Sequence, residues 1–322
     1  MTIVNNVLRS IRRLQSSNTD KLNIVTICKN NEKYIALLAK TLHNFHMPSN
    51  NVWNSAIEKR PSNVYSVSST THFEPFDYIM CYDRAEQYEE ALQISRNLHI
   101  PIILVDMCSR PLIRPAHILE IMNPIDLNVL DRNVALQVYS NHHIEMSWRN
   151  SDKLSTTIPI GIDVDKFQNQ QLDQTLISID NNTVPQVGAQ IGRQIQNSYT
   201  VLPTDHENLE DITLNKTRYF INTYKSITIK TLEAMSAGNV VISLRNTDTE
   251  SFIQHQETGI LIDNIEQLNE TIESLEKSNT IRIKIAQQAR QKIILEHSIE
   301  NFLNKWSVAF NLAQSTFFNS PA

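Results

Sequence analysis

Residues 219–262 run YFINTYKSITIKTLEAMSAGNVVISLRNTDTESFIQHQETGILI, and their order decides the fold. The apolar run YFIN reads as a strand and TYKSIT as a short turn. IKTLEAMSA reads as a helix closed by Gly238, and NVVIS as a second strand. The loop RNTDTESFI leads to a third strand at Gly259–Ile262. Strand, helix and strand joined by such short connections are the repeating unit of a parallel sheet with right-handed crossovers. The chain holds only five glycines, so each position is informative. Gly238 stands where a helix turns through the left-handed region directly into the next strand.

The same alternation extends both ways. Upstream, Asn23–Cys28, Tyr78–Cys81, Val134–Ser140 and Ile158–Ile160 read as strands, and Pro101–Val105 is apolar throughout, as a strand covered on both faces requires. A helix is predicted from Glu32 to Phe45, with Tyr34, Leu37, Leu38, Thr41, Leu42 and Phe45 on one face. In the second half Leu176–Ile179, Tyr199–Leu202 and Val240–Ser243 are further strands. Helices at Thr280–His297 and Ile299–Ala313 close the chain. The polar stretch Gln168–Gln174 reads as a linker. The predicted fold is α/β, two doubly wound Rossmann-like lobes with a cleft between them. By this reading residues 1–20 are an N-terminal helix or extension, 21–167 the first lobe and 175–298 the second. Residues 299–322 form a helix crossing back to the first lobe.

Composition narrows the class. A chain of 322 residues, 41% hydrophobic and 20% charged, is long enough for two globular domains. No run approaches the roughly 18–20 apolar residues of a membrane span, and the N-terminus lacks the apolar core of a signal peptide. A cytoplasmic protein is expected. Cys28, Cys81 and Cys108 are widely spaced in or beside apolar runs, which predicts buried thiols rather than a disulfide or zinc framework. The net charge of -5 gives no general push toward nucleic acid.

The chemistry concentrates in the quoted stretch. Ser226 or Thr228 can cap the helix by accepting a backbone N–H bond. The amides of its first turn and the positive end of its dipole make a seat for a diphosphate, around Thr228 and Ile229. Lys225 and Lys230 bracket that seat with positive charge. Glu233 lies four residues beyond Ile229, about 6 Å further along the axis. A carboxylate there can accept two hydrogen bonds from a ribose diol. The same architecture, a capped helix ending in glycine between two strands, also serves as plain structure in many α/β proteins.

The run KSITIKTLEAMSAGNVVIS (225–243), followed by TESFIQHQETGILID (249–263), resembles the signature of retaining glycosyltransferases of the two-domain GT-B type, family 4-like. IPIGIDVDKF (158–167) is similar to the segment that ends their N-terminal lobe. Gly161, Gly238 and Gly259 fall on that group's glycine positions. WN…RPSN, SNHHIEMSW and NTYKSITIK…LEAMSAG resemble short phage-encoded members, and the resemblance in order and spacing covers most of residues 23–310.

By that resemblance, Glu233 is the glutamate that contacts the nucleotide ribose. The backbone at Thr228 and Ile229 touches donor phosphate and sugar, and Glu250 is the carboxylate of the following loop. The implied reaction moves a sugar from a nucleoside diphosphate sugar, UDP-linked, to an acceptor hydroxyl with retention and without a metal or other cofactor. Lys225, Lys230 and Arg193 would offset the charge of the departing diphosphate. Asp106, after a strand end, would meet sugar or acceptor. The viral look-alikes suggest a hydroxymethylated base in DNA as acceptor, with a glycan or small molecule as the other choice. No membrane partner is expected.

The departures are specific. Lys225 replaces the first glutamate of the paired-glutamate motif, Cys28-Lys29-Asn30-Asn31 replaces a Gly-rich turn, and Asp106-Met107 stands where a histidine is usual. These substitutions also fit an inactive scaffold that serves as a binding module. A dehydrogenase is disfavoured by the lack of any GxGxxG. Asp163-Val164-Asp165 reads as a turn rather than a metal motif, and Trp53, Trp148 and Trp306 as anchors rather than sugar platforms. The Lys/Arg scatter in 280–292 reads as a solvated helix face.

Overall fold

The computed structural model describes residues 21–67, 76–84, 86–107, 130–148, 153–167, 176–179, 191, 195, 200–202, 210–224 and 226–319. The chain divides into two compact units, Met1–Pro159 with Leu303–Ala322, and Ile160–Phe302.

Unit 1 contains β1 (Asn23–Thr26), α1 (Glu32–Ala39), β2 (Asn44–Met47), β3 (Val64–Ser66), β4 (Tyr78–Cys81), α2 (Glu86–Leu98), β5 (Ile102–Asp106), β6 (Val134–Tyr139), α3 (His142–Ser147) and β7 (Ser155–Thr157). Its seven-stranded sheet has the order β3-β2-β1-β4-β5-β6-β7, and every pairing is parallel. The central strands β4 and β5 are buried at every position, as their apolar runs require, with Asp106 the one charged residue, at the end of β5.

Unit 2 contains β8 (Leu176–Ile179), β9 (Thr200–Leu202), α4 (Glu210–Lys216), β10 (Tyr219–Asn222), α5 (Ile229–Ser236), β11 (Val240–Leu244), α6 (Thr247–Phe252), β12 (Ile260–Ile262), α7 (Leu268–Lys277) and α8 (Asn279–Glu296). Its five strands run parallel in the order β12-β11-β10-β8-β9. A last helix, α9 (Ile299–Asn319), begins in unit 2 and passes at Leu303 into unit 1. There Trp306, Phe310 and Ala313 are buried. Trp306 meets Tyr34 edge-on at 6.5 Å, and the Tyr78 hydroxyl donates to Phe310 O at 3.2 Å. The α/β class with two doubly wound parallel sheets therefore holds.

Several boundaries differ from the sequence reading. The helix expected to reach Phe45 stops at Ala39. Leu42 takes φ 67°, and Asn44–Met47 turns into β2, which pairs with β1 from Asn23↔Asn44 to Val25↔His46. Val64–Ser66 adds an edge strand beyond it. The strand near 158 lies earlier, at Ser155–Thr157.

The dividing line falls at Pro159, ahead of Gln168–Gln174, a stretch outside the described residues as are residues 1–20. Hydrogen bonds fix that line. Ile162 N–H donates to His297 O at 2.7 Å, and the His297 ring lies 2.8 Å from Ile160 O. Gly161 sits so close to α9 that an added Cβ would lie 2.6 Å from Phe302 Cβ.

Helix α8 is not simply solvated on its basic residues. Arg290 reaches inward to the carbonyls of Phe167 and Ser236, and Lys292 Nζ lies 4.8 Å from the Phe252 ring.

Candidate donor site at the start of a buried helix

Helix α5 follows directly from the quoted stretch. Thr228, in extended backbone (φ −93°, ψ 165°), accepts the Thr231 N–H on its hydroxyl at 3.2 Å. It is therefore the cap, and Ser226 lies two residues before it. The inward face carries Leu232, Ala234 and Met235, all essentially unexposed. Burying Leu232 and Met235 contributes about 1.5–3 kcal/mol each.

At the far end Gly238 takes φ 77°. Its N–H donates to Met235 O at 3.0 Å, and Asn239 N–H donates to Ala234 O at 3.0 Å, a paired closure that only a residue tolerant of positive φ makes cheaply. The buried Asn239 side chain donates to Leu214 O at 2.8 Å and accepts from the Thr217 hydroxyl at 2.6 Å. Arg290 on α8 donates to Ser236 O, placing a cation at the negative end of the helix.

So the C-terminal end of α5 is bolted down. Its N-terminal end emerges beside the C-terminal ends of β10 and β11, the edge where open parallel sheets bind ligands. The amides of Ile229 and Lys230 come before the first intrahelical bond, Leu232 N–H to Thr228 O at 3.2 Å. Thr228, Ile229, Lys230 and Glu233 are all half-buried. Glu233 stands one turn deeper than Ile229. Such a helix start can take an anion on its amides while the carboxylate holds a diol further in.

The turn leading into α5 hangs on a residue the sequence reading did not single out. Asn222, at the end of β10, is 1% exposed. Its amide nitrogen donates to Ser243 Oγ at 3.0 Å, Ser226 O at 3.4 Å and Tyr224 O at 3.5 Å. Its oxygen accepts Tyr224 N–H at 3.2 Å. Asparagine at a strand end, followed by a polar turn, is the signal that could have found it.

Glu250, on α6, accepts from Arg245 at 3.0 Å, and Arg245 also binds Asp263 at 2.8 Å. Lys225 and Arg193 lie outside the described residues. Asp106 belongs to unit 1, at the end of β5. The sequence places it facing sugar or acceptor; the structure pairs it with Arg84, which donates to it at 2.7, 2.9 and 3.1 Å. Both side chains are 3% exposed, and the Trp148 ring lies 3.9 Å from the guanidinium. Burial lifts the Asp106 carboxyl above its usual range, and Arg84 pulls the other way.

Cys28, in the segment that replaces a Gly-rich turn, is pushed up to about 12 by burial and by Glu32, so its thiol stays protonated at neutral pH. Cys28 and Cys81 are free and buried; Cys108 lies outside the described residues. Trp53, Trp148 and Trp306 are buried. Among the described residues no three His, Cys, Asp or Glu side chains gather as a metal site, and no helix is long and apolar enough to cross a membrane.

Comparison with known proteins bears on this region. Residues 208–307 match the family described as glycosyl transferase-like. No curated protein matches the chain in sequence. Among solved structures, HepE of Anabaena, determined in complex with UDP and glucose, is similar with a TM-score of 0.68 at 11% identity, covering 90% of this chain and 99% of its own. Sucrose-phosphate synthase of Thermosynechococcus elongatus gives 0.68 at 12% identity, covering 93% of this chain and 100% of that one. A glycosyltransferase of Rickettsia africae gives 0.63 at 13% identity, covering 94% and 100%. At these identities the likeness establishes a shared fold, the two-lobed GT-B architecture.

Proposed function

We propose that the chain is a nucleotide-sugar glycosyltransferase that binds its donor diphosphate on the amides of Ile229 and Lys230 and its ribose on Glu233. The observation that carries this reading is the geometry of α5, capped by Thr228, clamped at Ser236–Asn239, and starting at the edge formed by the C-terminal ends of β10 and β11. The glycosyl transferase-like match spans the same segment, and HepE, a structure of the same fold, was solved with UDP.

Leaving-group charge develops on the diphosphate as the glycosidic bond breaks. Preorganised amides and the helix dipole stabilise that charge without reorganising. Lys230, Lys225 and Arg193 are the cations assigned to assist them. UDP as the nucleotide, retention at the anomeric carbon and independence of metal complete the proposal, on the strength of the motif resemblance.

For the acceptor, a net charge of -5 favours an uncharged, hydroxyl-bearing molecule over a polyanion. Among the described residues at the C-terminal ends of the unit 1 strands, Arg84 is paired with Asp106 at 2.7 Å and Lys29 with Glu90 at 3.3 Å. A phosphodiester backbone is bound through cations available to it. A glycan or polyhydroxyl small molecule fits better than a hydroxymethylated base in DNA.

The test is release of UDP from a panel of UDP-sugars, offered neutral saccharides and hydroxymethylated duplex DNA, with and without EDTA, and product anomers read by NMR. Transfer to a saccharide, unaffected by EDTA and with retention, is expected. UDP binding with no turnover of any donor would identify the inactive scaffold that Lys225 suggests.

A further inference from the structure

We infer that Asn222 is a positioning residue for donor binding, setting the backbone path that delivers the helix amides to the diphosphate. This inference rests on the donor seat proposed above and adds a determinant outside the α5 motif itself.

Six residues separate the end of β10 from the first residue of α5, and they must carry the chain from a buried strand to a helix start aimed at a ligand. Backbone in such a turn has no ladder to fix it, so its polar groups need other partners. Asn222 supplies them from a single side chain. Its amide nitrogen faces two turn carbonyls, Tyr224 O and Ser226 O, and its oxygen takes the Tyr224 N–H. The same nitrogen is anchored across the sheet to Ser243 Oγ, in the register pair Asn222↔Ser243. Ser243 is itself fully buried. The turn is thereby tied to the buried, paired strands β10 and β11, two residues before the Thr228 cap.

The chemistry restricts what can replace it. Two donors and one acceptor in one buried planar group are needed, and aspartate, though isosteric, offers acceptors only. Asn222→Asp would set a carboxylate against two carbonyl oxygens. The turn would move away from it, and the amides of Ile229 and Lys230 would lose their aim. Binding through oriented amides is steep in geometry, so a shift of about 1 Å is expressed as a large loss of affinity.

The experiment compares the wild-type chain with Asn222→Asp and, should that variant not fold, Asn222→Ala. UDP affinity is measured by titration calorimetry, uridine contacts by saturation-transfer NMR, and folding by the thermal midpoint. The expected result is a UDP Kd raised about ten-fold or more, with uridine contacts retained, because the lost interaction is with the phosphates. A folded variant with unchanged UDP affinity overturns the inference. So does equal loss of UDP and uridine, which marks general damage to unit 2. A wild-type chain that binds no UDP overturns the donor seat, and the inference with it, and is told apart from the other two outcomes by the wild-type titration alone.

Discussion

In the function proposed, Glu233 and Asp106, the partner of Arg84, put two carboxylates of one chain to different uses. Glu233 is half-buried, one turn into α5, where hydrogen bonds from a diol to a charged acceptor are worth about 1.5–3 kcal/mol each. Glu233→Ala should therefore weaken UDP binding roughly ten-fold or more in a variant that still melts cooperatively, as titration and melting on one sample will report. Asp106 shares its burial with Arg84, each 3% exposed. Removing one partner of a buried pair strands the other charge, at a cost of about 3–5 kcal/mol. Asp106→Asn should show that loss in urea denaturation, whereas Arg84→Met with Asp106→Leu should recover most of it.

His43 adds a titration. Burial lowers its pKa, with Asp77 opposing more weakly, and its ring accepts the Leu22 N–H at 3.3 Å. The folded state thus favours the neutral ring. Its contribution is complete above the ordinary value of about 6.5 and declines as pH falls below it, because the unfolded chain then binds the extra proton. Denaturant midpoints from pH 7.5 to 5 should fall less steeply for His43→Gln than for wild type.

At the scale of elements, the strand–helix–strand stretch at 219–262 was legible because every local signal agreed: apolar runs, a threonine cap, a glycine stop. Gly238→Ala, which forces a Cβ into φ 77°, should cost about 1–2 kcal/mol in denaturation. The region around Phe45 was not legible. Leu42 and Phe45 continue the helical spacing of Leu38, and no glycine marks the stop. The chain instead passes through φ 67° at Leu42, so that Phe45 and Met47 can bury beside β1. Sheet pairing outweighed local periodicity there. Asn222 was hidden for a related reason. One asparagine carries little local signal, and its value lies in partners up to 21 residues away.

For the whole molecule, the two parallel sheets could be read from alternation alone, but the point of division could not. It depends on His297 and Phe302 meeting residues 160–162, contacts that span more than a hundred positions of sequence. The part of α9 beyond Leu303 completes the unit 1 core through Trp306, Phe310 and Ala313. A chain ending at Phe302 should therefore lose the near-ultraviolet signal of Tyr34 and Tyr78 and expose apolar surface to a fluorescent dye.

The proposed donor seat carries the functional reading, and a crystal structure with UDP tests it. The diphosphate should lie against the amides of Ile229 and Lys230, with the ribose diol on the Glu233 carboxylate. Nucleotide density at any other place, or a helix start closed off by side chains in a crystal soaked to saturation, would contradict the account.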